Sequence, residues 1–208
     1  MAVVITVAQQ KGGAGKTMIA ANLAAAFAAT SRVALLDIDP QHTLARWHAL
    51  RRAQPAVAPI AFSDISGWRL AAELDRLRRE FDLVLIDSPP HIDADARRAI
   101  RVADMVLVPV QPSAPDRWAA EGTLALAAAE KRPASLVLNR APTSSAQRFK
   151  ALGDAGASGH ALLGASLGNR AGFVQAFALG LGVVEAAPRS VAAAELRAVA
   201  EQIAAALR

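Results

Sequence analysis

The sequence contains no cysteine, and only 4% of its residues are aromatic. A chain without cysteine cannot form disulfides, thiolate metal sites or cysteine-held iron–sulfur clusters. Long apolar segments are also missing, because no uncharged apolar run approaches the roughly 18–20 residues that span a bilayer. The N-terminal stretch "MAVVITVAQQ" is typical of a strand and not of a signal peptide. These absences favour a protein of the reducing cytoplasm.

The length of the chain, 208 residues, suits one good-sized hydrophobic core and is too short for two comfortable domains. Residues 1–208 are therefore expected to form a single domain. The net charge is +5 and the pI is near 10.6. A basic balance favours polyanionic partners such as nucleic acid, although solubility alone is the other explanation.

Short apolar runs alternate with alanine-rich helical segments along the chain. Continuous, β-branched runs of this length are typical of strands that are buried on both faces. The predicted strands cover residues 2–8, 32–39, 82–87, 104–110 and 134–140, with shorter candidates at 59–64 and 160–166. Helices are predicted over residues 17–31, 66–81, 116–131, 168–180 and 190–208, and residues 88–103 are predicted to form a loop followed by a helix. This alternation predicts an α/β fold with a doubly wound, mostly parallel sheet and helices on both faces.

The stretch "QQKGGAGKTM" follows the first predicted strand and nearly fits the phosphate-loop pattern G-x-x-x-x-G-K-[ST]. Gln10 stands where the pattern has its first glycine. Lys16 is expected to reach the β- and γ-phosphates of a nucleotide, and the Thr17 hydroxyl to reach Mg²⁺. The alternative is a simple glycine turn before a helix. The residues predicted to cradle the phosphates are Gly12, Gly13, Ala14, Gly15, Lys16, Thr17 and Met18.

Three aspartates lie at the ends of predicted strands. Asp87 ends "LVLID", and a carboxylate there suits a Mg²⁺ role; the alternative is an ordinary strand-end cap. Asp37 and Asp39 in "LLDIDPQ" point to the same side if the strand persists. Asp37 is assigned to the Mg²⁺ shell and Asp39 to the attacking water. The alternative is that both begin the turn that Pro40 enforces.

A carboxamide ends another predicted strand, at Asn139 in "VLNR". A carboxamide offers a donor and an acceptor, which match the amino group and ring nitrogen of adenine. Asn139, with Arg140 beside it, is therefore assigned to the nucleotide base. The alternative is an asparagine that caps a turn.

The motifs "KGGAGKT", "LLDIDPQ" and "FDLVLIDSPP", together with the strand-end asparagine, resemble the ParA/MinD group of deviant-Walker P-loop ATPases. Segments such as "ADMVLVPVQPSAPDRWAAEG" are most similar to short ParA proteins of the ParF-like type. The resemblance implies ATP and Mg²⁺ as cofactors and a homodimer in the ATP state. It also implies that Lys11 touches the phosphates bound by the other subunit, in the manner of an arginine finger supplied in trans. The alternative is that Lys11 is a surface lysine.

This resemblance implies slow, partner-stimulated hydrolysis that positions or segregates cargo along nonspecific DNA, in a cytoplasmic, nucleoid-associated protein. Larger relatives carry an N-terminal helix-turn-helix domain, and none is expected here. A small DNA-binding partition partner would then recognise the cargo. Phosphate contacts with DNA are assigned to basic residues of the C-terminal third: Arg148, Lys150, Arg170, Arg189 and Arg197, with Arg140 as a further candidate.

Two other functions remain open. One is positioning of a protein cluster or microcompartment. The other is a membrane-associated, MinD-like role in division, which is less favoured because "AAELRAVAEQIAAALR" is typical of a folded terminal helix. A ligase relative would need a substrate pocket that the sequence does not indicate.

For several other polar and aromatic residues, the sequence predicts a location but no specific role. Ser113 and Asp116 are expected to line the nucleotide site or the dimer interface. The four histidines lack the spacing of metal ligands and are expected on the surface or in loops. The three tryptophans are expected to pack on helix faces: Trp47, Trp68 and Trp118.

Overall fold

The computed structural model describes residues 1–91, 93–144, 147, 150–151, 153–154 and 159–208. Seven strands form one sheet within these residues, in the order β3-β2-β4-β1-β5-β6-β7, and every neighbouring pair is parallel. The fully parallel sheet confirms the predicted doubly wound fold. The strands are β1 Val3–Val7, β2 Val33–Asp37, β3 Ile60–Asp64, β4 Leu83–Asp87, β5 Met105–Val110, β6 Ala134–Ala141 and β7 Leu162–Gly168.

Helices connect the strands and cover both faces of the sheet. Those described are α1 Lys16–Phe27, α2 Thr43–Arg51, α3 Leu70–Glu80, α4 Ala94–Val102, α5 Ala114–Ala129, α6 Ala171–Ala178, α7 Val183–Ala186 and α8 Val191–Ala206. A 3₁₀ turn, Gly67–Arg69, precedes α3. The sequence did not predict α2 or the short α7. In the part of the chain that is described, no helix is both long and apolar enough to cross a membrane.

The core lies on the two faces of the sheet. On one face, residues such as Ile5, Leu35 and Leu85 pack against α1, α2 and the three C-terminal helices. On the other face, Val84 and Val106 belong to clusters packed under α3, α4 and α5. Since both faces are covered, the strands need apolar residues at successive positions, and this is the continuous pattern seen in the sequence.

Side chains cap several of the helices. Ser113 accepts a hydrogen bond from Asp116 N at the start of α5, and Ser190 accepts one from Ala193 N at the start of α8. Asp93 accepts from two backbone N–H groups at the start of α4. Ser66 stands at the N-cap position of the 3₁₀ turn, but its side chain makes no capping hydrogen bond there.

The tryptophans divide between core and surface. Trp47 is 1% exposed and stacks on Phe177 with ring centroids 6.2 Å apart. Trp68 and Trp118 are 73% and 66% exposed, so the prediction that they pack on helix faces is wrong. Trp68 belongs to the 3₁₀ turn, where Gly67 is the buried residue. Trp118 lies on the outer face of α5, because Asp116 and Ala120 occupy the inner one.

The order of the strands creates a crevice. β1 lies between β4 and β5, and the chain builds first on one side of β1 and then on the other. In open α/β sheets, ligands bind at such a switch point, outside the carboxyl ends of the strands. The glycine-rich loop, Asp87 and the loop after β5 all lie at this edge.

Candidate functional site

The glycine-rich loop joins β1 directly to the N-terminus of α1. Gly13 and Gly15 have φ angles of +75° and +98°, which L side chains rarely adopt. Gly15 is the N-cap of α1, no side chain caps that end, and Lys16 is the first helical residue. The free N–H groups of a helix N-terminus, together with a glycine turn, form a ready anion site. The strand–loop–helix context that a phosphate loop requires is therefore present.

Lys16 points back into this loop. Its Nζ donates to the Gln9 backbone oxygen at 3.1 Å, and the residue is only 6% exposed. Burial lowers the pKa of Lys16, and the nearby carboxylates of Asp87 and Asp39 partly oppose that change. A cation held in this way, with few partners of its own, is placed to meet an incoming phosphate.

Asp87 is completely buried at the carboxyl end of β4. Burial raises its pKa to about 8, and the nearby Thr17 hydroxyl acts in the opposite direction. Neither carboxylate oxygen has a hydrogen-bond partner of good geometry among the described residues. A buried carboxylate without partners is costly unless a cation joins it. Thr17 and Asp87 thus fit a Mg²⁺ ion, which commonly takes one or two protein ligands and completes its shell with phosphates and water.

Asp37 lies beside Asp87 in the parallel register of β2 and β4. Its two oxygens accept hydrogen bonds from the backbone N–H groups of Asp39, at 3.0 Å, and Ala45, at 3.2 Å. Desolvation raises the pKa of Asp37 to about 6, and these two bonds oppose the rise. Such contacts match the turn-forming alternative, and they leave Asp37 a less open candidate for Mg²⁺ than Asp87.

Asp39 occupies the mouth of the site. Its side chain accepts a hydrogen bond from Gln41 N at 3.0 Å, and it lines a cavity of about 460 Å³. It is close enough to Lys16 to raise the pKa of that amine. Asp39 is therefore near enough to Lys16 to interact with its charge and is open to a cavity on its other side, so its assignment to the attacking water stays a prediction.

Asn139 braces the phosphate loop. Its Nδ2 donates to Ala14 O at 2.8 Å, and its Oδ1 accepts from Arg140 N at 2.9 Å. A Cβ added to Gly15 would overlap this amide, so the loop glycine leaves room for it. Asn139 and Arg140 also line a largely apolar cavity of about 200 Å³, with Met18, Phe173 and Phe177. The site predicted for the base is thus a real cavity, although part of the Asn139 amide is already engaged by the protein.

Lys11 pairs with a carboxylate of its own chain. Its Nζ lies 2.6 Å from Asp116 Oδ2, near the start of α5, and the Ser113 hydroxyl donates to the same oxygen. The Lys11 side chain is 39% exposed, whereas that of Asp116 is 3% exposed. Lys11 therefore has a specific anchor at the rim of the site.

Two glutamines at the site were not predicted. Gln9 Nε2 donates to Pro109 O at 3.1 Å, and Gln111 Nε2 donates to Gly13 O at 3.0 Å. These bonds tie the phosphate loop to the end of β5. No local pattern indicated them, because the partners are about 100 residues apart and are brought together by the pairing of β1 with β5.

The basic residues predicted to contact DNA differ in their solvent exposure and in whether they already form ion pairs. Arg148 lies outside the described residues. Arg170 forms two hydrogen bonds with Glu195, at 2.7 and 2.8 Å, so its charge is already matched. The exposed candidates are Arg140, Lys150, Arg189 and Arg197.

The phosphate loop lies at the switch point of a parallel sheet, and a buried aspartate ends β4, the strand beside β1 in the sheet. These features define a P-loop nucleotide-binding protein. The chain belongs to the CobQ/CobB/MinD/ParA nucleotide-binding family, whose model matches residues 5–182. The resemblance to ParA and MinD seen in the sequence is thereby confirmed.

Similar proteins occur in several bacteria. The chain is 32% identical over 149 residues to maintenance of carboxysome distribution protein A of Halothiobacillus neapolitanus, a match that covers 68% of each chain. It is 33% identical over 154 residues to the chromosome-partitioning ATPase Soj of Thermus thermophilus, covering 60% of this chain and 59% of Soj. A McdA variant of Cyanothece in complex with ATP shares the fold, with a TM-score of 0.79, 19% identity, and coverage of 98% of this chain and 96% of the other.

Proposed function

We propose that the chain is a Mg²⁺-dependent ATPase that dimerises when it binds ATP and thereby positions a cargo. The observation that carries the proposal is buried Asp87, whose unpartnered oxygens lie beside Thr17 and the phosphate-loop lysine, Lys16. That arrangement offers ligands for Mg²⁺ and for phosphate at one point. Bound Mg²⁺ would neutralise charge that develops on the phosphates during hydrolysis.

The chain's own residues divide the catalytic work. The glycine loop and the α1 N-terminus bind phosphate oxygens through backbone N–H groups. Lys16 supplies a buried positive charge, and Thr17 and Asp87 hold the metal. Asp39 orients the attacking water and accepts its proton.

Lys11 acts in the partner subunit in this proposal. Two ATP molecules that face each other across a dimer bring together about eight negative charges if each carries roughly four. Because Lys11 is on the rim and partly exposed, it can exchange Asp116 for a phosphate of the partner. ATP thus joins two copies, and hydrolysis separates them.

The cargo is the less specific part of the proposal. Similarity to the chromosome-partitioning ATPase Soj supports partition of a chromosome or plasmid as one function. For that function we propose nonspecific DNA as the track, a small DNA-binding protein as the partner, and a nucleoid-associated location. Similarity to the carboxysome distribution protein supports a protein assembly as cargo, and this match covers more of the chain. Lys150, Arg189 and Arg197 are the exposed cations proposed to contact DNA phosphates.

A membrane-associated role has less support. Helix α8 buries its apolar residues Leu196, Val199 and Ile203 in the core and caps its start with Ser190. An interfacial membrane helix would instead present such residues to lipid.

The experiment measures phosphate release and the retardation of a random-sequence DNA fragment, with ATP, ADP or no nucleotide. The wild type is expected to hydrolyse ATP only with Mg²⁺ and to retard DNA only with ATP, less so as salt rises. Lys16→Ala is expected to lower kcat/KM by about 100-fold or more. Asp39→Ala is expected to lower kcat while it retains ATP binding and ATP-dependent retardation of DNA.

Two results decide against the proposal. Hydrolysis that persists in Lys16→Ala would point to a contaminating enzyme or to another site. Equal DNA binding with ADP and with ATP would show that the DNA surface does not depend on an ATP-made dimer.

A further inference from the structure

Gln10 occupies a notch in helix α5. This is the residue that replaces the first glycine of the ordinary phosphate-loop pattern. A Cβ built on Gly122 would overlap Gln10 Nε2 and would lie 2.9 Å from Cδ and 3.2 Å from Oε1. The Gln10 side chain therefore lies where any residue larger than glycine at position 122 would have its Cβ.

The notch needs a glycine where a helix disfavours one. Gly122 is in the middle of α5, within "WAAEGTLALAAA", a segment otherwise rich in good helix formers. Glycine destabilises a helix interior relative to alanine. The close approach of the Gln10 carboxamide gives a physical reason for glycine at this position.

Close packing keeps the Gln10 side chain in this notch of α5. Among the described residues, Gln10 Nε2 is buried and has no hydrogen-bond partner, and the same is true of Thr123 Oγ1 on the neighbouring residue of α5. Both residues line a cavity of only about 10 Å³. The carboxamide is thus kept in place by close packing, because it has no directional bond to hold it.

Gln10 and Lys11 attach to the same helix at two points. Lys11 contacts Asp116 and Gln10 contacts Gly122, six residues further along α5, which is about 9 Å at 1.5 Å per residue. On either side of this pair, Gln9 and Gly13 bond to β5 and to the residue after it. The start of the phosphate loop is therefore aligned against α5 through Gln10 and Lys11, and against the end of β5 through Gln9 and Gly13.

We propose that Gln10 is a positioning residue. By packing against Gly122, its side chain fixes where the phosphate loop lies along helix α5, and in that position Lys11 reaches Asp116. This inference rests on the proposed function in one respect, since release of Lys11 from Asp116 is what frees it for a second subunit. Displacing Gln10 from the notch weakens the pair with Asp116 and shifts Lys11 toward its other partner.

The test labels lysine amines with a limiting amount of acetic anhydride, without nucleotide, and reads the rate at Lys11 by mass spectrometry. Gly122→Ala is expected to raise the labelling rate of Lys11 by about two- to fivefold, as expected for the loss of a partly exposed ion pair. Lys131, exposed in the turn that follows α5, is the internal control and should not change.

Variants at Gln10 separate positioning from general loss of structure. Gln10→Met fills the notch with a chain of similar length and is expected to keep the wild-type rate. Gln10→Ala empties it and is expected to raise the rate. Adding Gly122→Ala to Gln10→Ala should then change nothing, because the side chain that clashes is gone. If Gly122→Ala does not fold, the Met and Ala variants at Gln10 decide the question by themselves.

A second readout uses ATP. Gly122→Ala is expected to dimerise at about fivefold lower protein concentration, with ATP affinity unchanged within about twofold. Wild-type labelling rates in folded Gly122→Ala or in Gln10→Ala would overturn the positioning role. If the wild type does dimerise with ATP, unchanged dimerisation in Gly122→Ala would overturn it as well. A wild type that forms no dimer with ATP would contradict the proposed function instead, and the labelling result stands apart from it.

Discussion

Asp87 illustrates how burial prepares a single residue for a cation. Burial raises the pKa of Asp87 to about 8 and that of Asp37 to about 6, from an ordinary value of 3.8. The folded chain therefore keeps protons that the unfolded chain has released. The free energy of unfolding should consequently fall as pH rises from about 4 to about 8 when Mg²⁺ is absent.

This pH dependence can be removed at one residue. Asp87→Asn cannot ionise, so with a chelator present it is expected to be more stable than the wild type at pH 8, by on the order of 2 kcal/mol. Near pH 4 the two should differ little, because Asp87 is then protonated in the folded chain and still about half protonated in the unfolded chain. Urea unfolding midpoints at the two pH values measure the effect, and Mg²⁺ should raise the midpoint of the wild type alone at pH 8. Parallel pH profiles for the two proteins would count against a raised pKa at Asp87.

At the scale of elements, α2 shows how a helix can depend on a distant partner. Its inward-facing residues are Leu44, Trp47 and Arg51. Arg51 is buried and forms a two-pronged pair with Glu185 of α7, at 2.7 and 2.8 Å. Its guanidinium also lies 5.4 Å from the ring centroid of Trp47. A charge in this setting needs its counter-ion, because an unpaired buried charge is strongly destabilising.

Loss of that counter-ion is expected to destabilise the protein. Glu185→Gln leaves Arg51 without a matching charge and should lower the free energy of unfolding by about 3 kcal/mol. The matched control is Asp82→Asn at the exposed pair with Arg32, which should have little effect. Denaturant unfolding at neutral pH compares them. A Glu185→Gln variant as stable as the control would show that the buried pair does not hold α2 in place.

Parts of the site with a local sequence signal could be predicted, whereas contacts between distant segments could not. The phosphate loop and Asp87 were predictable because their signals are local: a glycine loop between a strand and a helix, and a carboxylate at a strand end. Helix α2 was missed because one of its inward positions is an arginine, whose partner lies 134 residues away. The contacts of Gln9 and Gln10 with β5 and α5 were missed for the same reason, since neither partner is near in sequence.

In the molecule as a whole, one parallel sheet brings residues from distant segments together at the carboxyl ends of its strands. Asp87, Lys16 and Asp39 meet there, and Lys11 lies on the rim with a partner in its own chain. In the proposed function, Lys11 leaves this partner to neutralise phosphates held by a second copy. That claim makes the dimer, and any DNA surface formed by it, depend on ATP.

Sedimentation velocity tests that claim most directly, with wild type, Lys11→Ala and the control Lys131→Ala in Mg²⁺ and a nonhydrolysable ATP analogue. The wild type and the control are expected to sediment as dimers. Lys11→Ala is expected to bind the analogue with similar affinity and remain a monomer. A dimer of Lys11→Ala at the same protein concentration as the wild type would contradict the account.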